Sequence, residues 1–345
     1  MVPIWQVAVH ALHHRLFRSY SIDMINSTFR LQCGLFLLLG LIGCSTPLSE
    51  AGVSRPMTSA PDGFWDHWGD GKAELAGYAL KVPRYGQLRS GEAVLVTVTE
   101  DFTAEQRVKS DGGHGDEYPV LKLNELRDFQ TGIYDYNLMT SAFLRLDGVI
   151  PLGLPDKVSF SMQEWCGHAY EELVIGADSL DRMSQSYFDG ETVANTSRPM
   201  PARAVIADAM PLLVRGLGGE LLGPGETRSV QWLPRASERH MLHRAFAWTE
   251  ASMTRSSGTQ KVTVPAGTFD VYTLTVTPTG SAASTWMVQS SAPHMLVKWS
   301  RADGEVGTLT GAVRRSYWND QGEGRETLRQ ELGLPARRWP EGGAP

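Results

Sequence analysis

Long stretches of this chain alternate apolar and polar residues one by one, and that period admits half-buried β-strands and little else. In AVLVTVTEDF, Val94, Val96 and Val98 share a face; in KVSFSM, Val158, Phe160 and Met162 do; in VYTLTVTP, Tyr272, Leu274 and Val276 alternate with threonines. Turn chemistry punctuates the pattern at SGE (90–92), DGGHGDE (111–117), VPAGTFD (264–270) and RADGE (301–305). The main helical candidate is PARAVIADAMPLLVRGL (201–217), which Pro211 is expected to interrupt. The pattern predicts a mainly β fold: one or more large antiparallel curved sheets, as an open half-barrel or a sandwich, with one or two short helices. Two β lobes are expected, 64–190 with the QEWCGH strand and 200–320, followed by a polar tail, 321–345, with one short helical stretch near Arg325 to Leu334.

Upstream of the strands, CGLFLLLGLIGC holds an apolar run from Gly34 to Ile42. A bilayer span needs roughly 20 apolar residues, so the run reads as the core of a secretory signal. Leu41-Ile42-Gly43-Cys44 resembles the bacterial lipobox, which implies that Cys44 becomes an acylated N-terminus. Acyl chains contribute about 0.8 kcal/mol per buried CH2 and anchor a protein without a transmembrane helix. Ser45 after the cysteine implies sorting to the outer membrane, facing the periplasm. Residues 1–23 lack the apolar continuity of a signal, so translation is expected to begin at Met24, with a signal at 24–43. His10, His13 and His14 then drop out of any metal argument. Residues 44–63, rich in Ser, Pro and small side chains, read as a flexible tether.

Loss of the signal removes Arg15, Arg18, Arg30 and Asp23, taking 32 basic and 38 acidic residues to 29 and 37, a formal charge of −8. That balance disfavours nucleic acid, whose recognition begins with a basic footprint, and leaves membrane attachment to the lipid anchor. With Cys33 lost and Cys44 acylated, Cys166 is the single remaining thiol. No disulfide framework is possible, so an apolar core must hold the fold.

The central motif is FSMQEWCGHAYEEL, residues 160–173. If Val158, Phe160 and Met162 face the core, period two carries that face on through Glu164, Cys166, His168 and Tyr170. Buried carboxylate and imidazole groups need partners or a solvated hollow, and Lys122 is the natural counter-ion. One reading is a ligand-binding wall, with Tyr134, Tyr136 and Met139 beside the inward row and Trp286 and Trp299 adding apolar area from the second half. A purely structural polar cluster that fixes strand register competes with it. A thiol enzyme using Cys166 with His168 and Glu164 is a third reading. A metal at Glu164, Cys166 and His168 needs a bulge to make the ligands converge, so no metal site and no cofactor is assigned. His240 and His243, in RHMLHR, read as solvated or backbone-bonded side chains.

Weaker features are Ser141, outside any G-x-S-x-G elbow, and GLGGELLGPGE (216–226), which lacks the strand-to-helix setting of a phosphate loop. Both read as ordinary connections. GFWDHWGDG, with Trp65, His67 and Trp68, reads as the apolar plug of the first strand or as an aromatic lid.

Two resemblances follow. FWDHWGDGKAELAGYALKVPRYG, VLVTVTEDF, PVLKLN, TGIYDYNLMTS and SFSMQEWCGH resemble an uncharacterised bacterial family of signal-bearing proteins, some of which carry the label septum formation inhibitor Maf. The chain has neither the S-x-S-P-R-R motif of Maf nucleotide pyrophosphatases nor their alternating β and α segments, so the label brings no activity with it. VTVPAGTFDVYTLTVTP and STWMVQSSAPHMLVKWSRADGEVGTLT are similar to hairpins of Lol-type lipoprotein carriers, which implies an open half-barrel around an apolar ligand. Together the readings predict a membrane-anchored periplasmic lipoprotein that binds a lipid-like or other apolar or amphipathic molecule, or an envelope protein, without catalysis; the thiol enzyme is the alternative.

Overall fold

The computed structural model describes residues 60, 63–113, 115–148, 153–191 and 193–337. The start at Met24, the signal, Cys44 and nearly all of the tether lie outside the described residues. Helix α1 (Phe64–Trp68) precedes β1 (Ala73–Arg84), β2 (Gln87–Thr103), β3 (Glu117–Thr131), β4 (Tyr134–Arg145), β5 (Lys157–Glu164), β6 (Gly167–Ile175), β7 (Ser179–Ser186) and β8 (Ala194–Pro199). After them come β9 (Ala204–Ile206), α2 (Met210–Leu213), β10 (Thr227–Leu233), α3 (Ala236–Met241), β11 (Thr249–Arg255) and β12 (Gln260–Val264). The chain continues with β13 (Gly267–Pro278), β14 (Ser284–Gln289), β15 (Leu296–Ser300), β16 (Val306–Arg315) and a 3-10 helix, Arg325–Leu332.

The strands form one sheet in the order β8-β7-β6-β5-β4-β3-β2-β1-β16-β15-β14-β13-β11-β10-β9, with β12 also on β13. Every pairing is antiparallel except β9 with β10. Among the described residues no ladder joins β8 to β9, so the sheet is open. The mainly β, few-helix expectation holds in its open-sheet form rather than as a sandwich. The two lobes do not form separately: β1 pairs with β16 from Ala73↔Arg315 to Lys81↔Val306 and welds the halves into one ladder.

Alternation sets the two faces. Ala76, Tyr78 and Leu80 of β1, Leu121, Leu123 and Phe129 of β3, and Val158, Phe160 and Met162 of β5 join Tyr272, Leu274, Val276, Trp286 and Trp299 in one inner core. Val96 and Val98 belong to a second, outer cluster with Ala73, Leu75, Leu332 and Leu334. Part of the expected tail is therefore structural: its 3-10 helix lies on the paired Gly77 and Gly311, where an added Cβ would meet the Leu332 backbone.

Local chemistry explains two other departures. SGE at 90–92 lies within β2, while the turn falls at Tyr85-Gly86, between the paired Arg84 and Gln87. The expected helix at 201–217 becomes β9, a 3-10 turn over Ala207–Ala209 and α2. Pro211 sits in the first turn of α2, where its missing N–H costs nothing, so it starts that helix instead of breaking it.

The inner face also buries charge. The Glu171 carboxylate of β6 receives the Nε of Arg182 at 2.9 Å, Nη1 of Arg239 at 3.0 Å and Nε2 of His240 at 3.3 Å. Burial by itself would lift its pKa, but Arg239, His240 and Arg182 override that and hold it far below the usual carboxylate range. Removing one member of a buried pair typically costs about 3–5 kcal/mol, so Glu171→Gln should lose roughly that amount in urea unfolding at neutral pH. A depressed native pKa contributes stability above the unfolded value that disappears as pH falls. The fall in stability on acidification below the ordinary glutamate range should therefore be shallower in Glu171→Gln than in the wild type.

Gly307 of β16 lies against the Trp299 indole, and a Cβ there would overlap the ring. Gly307→Ala should cost about 1–3 kcal/mol by overpacking. Gly258→Ala, with open space around it, should stay within about 0.5 kcal/mol in the same urea titration.

Candidate functional site

The row from Val158 to Tyr170 is not one strand. β5 ends at Glu164, a two-residue turn of Trp165 and Cys166 follows, and β6 starts at Gly167, directly opposite Glu164. A reversal resets the alternation: Ala169, Glu171 and Leu173 face inward on β6, while His168 and Tyr170, opposite Gln163 and Ser161, face out. Glu164 keeps the inner-face register only at the strand's end, where its Oε2 accepts the Cys166 amide at 3.1 Å. Cys166 is exposed, and the hydrogen bond and charge of Glu164 push its thiol pKa up. The trio expected to point inward therefore does not converge, and the inward carboxylate is Glu171.

The other expected wall residues also separate. Lys122 pairs with Glu100 on the outer face, away from Glu164. Met139 and Tyr170 are partly exposed, and the Tyr170 hydroxyl donates to Glu172 at 3.1 Å. Tyr136 is fully buried, stacked on Phe129 at 4.7 Å, and its hydroxyl accepts from Arg84 Nη2 at 3.0 Å; Tyr134 lies 5.9 Å from it. Trp286 and Trp299 are register partners in the core. Thus, of the expected wall residues, Tyr134, Tyr136, Glu164 and the turn residue Cys166 gather at one rim. Both His240 and His243 bond the Glu191 carboxylate through Nδ1, at 3.2 and 2.5 Å; His243 is also exposed, as expected, whereas His240 is buried and not solvated.

That rim carries the turns β1–β2, β3–β4, β5–β6 and β7–β8. It exposes Tyr85, Ile133, Trp165 and Tyr187, which are 57%, 78%, 68% and 70% accessible. Large apolar residues are thus held in water at four neighbouring tips.

A cavity of about 570 Å³ opens at the other end of the sheet, between α1 and the Leu213–Leu222 segment. This volume lies within the range of small-molecule sites. Phe64, Trp68, Leu217, Leu222, Tyr272 and Leu274 give it apolar walls, and His67, Arg215, Arg255 and His294 give it nitrogen donors. The glycine-rich 216–226 stretch, read from sequence as an ordinary connection, forms one side of it.

Arg215 is buried and forks onto Glu74 at 2.7 and 3.0 Å, and its remaining donors reach the carbonyls of Pro293 and His294 at 3.0 and 2.8 Å. It is a fully committed strut. Arg255 is different: it lies 4.2 Å over the Tyr272 ring, pairs with Glu220 and donates to Leu222 O at 2.8 Å, yet among the described residues its Nε has no partner. Burial, then the charge of Arg314, lowers the His67 pKa, and Arg314 Nη1 at 3.1 Å donates to the His67 Nε2 lone pair. The imidazole is thus neutral and fixed. Ser290 Oγ donates to Asp270 O at 3.1 Å and His294 Nδ1 bonds Gln289 O at 3.2 Å, so neither is set as a nucleophile and its base. Among the described residues no group of three or more His, Cys, Asp or Glu is placed to hold a metal ion. The arrangement suits binding: an apolar hollow with one partly free guanidinium at its edge.

Sequence reasoning missed Glu74, Glu171, Arg215 and Arg255. For Glu171 a signal existed, a charged residue between Ala169 and Leu173 in the apolar phase of its strand.

No family model matches this chain, and no curated protein matches it. Among solved structures it is similar to a β-barrel-like protein of domain of unknown function DUF1849 from Brucella abortus, at 8% identity and a TM-score of 0.42. The alignment covers 71% of this chain and 98% of that one.

Proposed function

We propose that this chain is a lipid-anchored protein of the bacterial outer membrane, facing the periplasm, that holds an amphipathic ligand with an anionic head without transforming it. The single observation that carries the binding reading is the cavity of about 570 Å³ with apolar walls and the incompletely bonded Arg255 at its edge. Apolar area supplies affinity, and one placed charge orients the ligand. The anchor rests on the lipobox-like Leu41-Ile42-Gly43-Cys44. Among the described residues no helix is long and apolar enough to cross a membrane.

An envelope partner remains a second reading, favoured by the exposed Tyr85, Ile133, Trp165 and Tyr187 at the far rim. The thiol-enzyme alternative needs an activated Cys166, whereas the neighbouring Glu164 acts in the opposite direction.

Mass spectrometry of native, acylated protein extracted from membranes should find an anionic amphiphile co-purifying near one per chain. Arg255→Gln should weaken its binding about tenfold, the worth of one hydrogen bond to a charged group, and so lower the amount retained per chain. An empty wild-type protein, or equal loading of both proteins, counts against the cavity as the site. Iodoacetamide should alkylate Cys166 in folded protein near neutral pH more slowly than free cysteine; a faster rate would revive the thiol enzyme.

A further inference from the structure

A second, smaller cavity of about 190 Å³ lies at the opposite end of the β13–β14 hairpin, where Pro278, Thr279 and Ser284 replace Tyr272, Leu274 and Ser290 as lining residues. Trp232, Trp286, Arg235 and Arg301 form part of its wall. Its polar groups are buried and under-bonded. Arg235 is 5% exposed, and among the described residues its guanidinium donates no hydrogen bond. It is held only at ion-pair range, 3.5 Å from Glu125, 3.7 Å from Glu305 and 3.8 Å from Asp303. Arg301, 6% exposed, donates from Nη2 to Glu125 at 3.0 Å and sets Nε at ion-pair range, 3.2 Å, from Glu305, but among the described residues its Nη1 has no partner. The Trp286 indole N–H, on a residue 2% exposed, has none among the described residues either.

Several nearby acceptor atoms already hold other donors. Glu305 receives Arg127 Nη1 at 2.6 Å and the Trp299 indole at 3.0 Å. Asp303 accepts the Glu305 amide through Oδ1 at 2.9 Å. Asp208 accepts the Ala236 amide at 3.2 Å and is not within ion-pair distance of Arg235. Of the other charged wall residues, Arg239 is taken by Glu171 and Arg244 by Glu238. Buried donors left without acceptors are costly and rare in native folds. Two guanidinium groups and an indole N–H that line one small hollow share a single chemical need, an acceptor carrying negative charge.

We propose that this cavity binds a compact oxyanion, a phosphate or short carboxylate, which accepts from Arg235, Arg301 and Trp286. None of its lining residues lines the larger cavity, so this site is separate from that one and does not depend on what fills it.

Isothermal titration of the folded full chain with inorganic phosphate and with acetate, each against chloride at matched ionic strength, tests the site and separates the two sources of oxyanion. Saturable binding of at least one probe is expected. Arg235→Gln should weaken it about tenfold or more, and Trp286→Phe, which removes the N–H, about threefold to tenfold. Arg255→Gln, in the other cavity, should leave it unchanged. If Arg235→Gln does not fold, Trp286→Phe decides. The proposal is overturned if folded wild-type protein binds neither probe saturably, if binding is indifferent to Trp286→Phe and to any folded Arg235→Gln protein, or if Arg255→Gln abolishes it.

Discussion

Three guanidinium groups and two carboxylates shut inside a sheet set the terms for the rest of this molecule. Arg127 and Glu125 come from β3, Arg235 from the start of α3, and Arg301 and Glu305 from the β15–β16 turn. Charge taken out of water is tolerable only where partners meet it closely. On a flat sheet β3 and β16 would lie three strand spacings apart, roughly 14 Å, yet Arg127 meets Glu305 at 2.6 Å. Curvature, the inward lie of α3 and the weld between β1 and β16 are conditions for that pairing. The same logic recurs at Glu74 with Arg215 and at Glu171 with Arg239, each joining a strand of the first half to the 204–248 region.

These struts also shape the hollows. The half-barrel is not an empty cradle along its length, because α2, α3 and their flanking segments occupy its concave side together with Trp232, Trp286 and Trp299. Space survives at the two ends, and the chemistry there differs. The α1 end has apolar walls and an arginine with one unused donor, whereas the α3 end has two buried arginines and an indole short of acceptors. One scaffold thus holds two hollows of different chemistry, the first proposed for an amphiphile and the second for an oxyanion.

The faces of single strands were legible in the sequence because alternation is a local property. Val158, Phe160 and Met162 face the core, and so do Tyr272, Leu274 and Val276. The reversal lacks the usual turn residues: Trp165-Cys166 is neither Asn-Gly nor Asp-Gly, so period two alone carries the row straight on to Tyr170. One unrecognised turn moved His168 and Tyr170 to the outside and hid Glu171 on the inside. Charged residues in the apolar phase, Glu125 and Arg127 between Leu123 and Phe129 or Glu171 between Ala169 and Leu173, were visible as anomalies. Their partners were not, because Arg301 lies 176 residues from Glu125 and Arg215 lies 141 from Glu74.

By itself the sequence determined that the chain is built of antiparallel strands with few helices, since period two is a property of neighbouring residues. Only the tertiary structure decided that both halves share one open sheet, that Leu332 and Leu334 seal its outer face, and which charges meet inside it. Those outcomes depend on contacts between residues far apart in the chain. They are fixed by the requirement that buried charge and apolar surface find partners, and no local pattern encodes where such partners will come from.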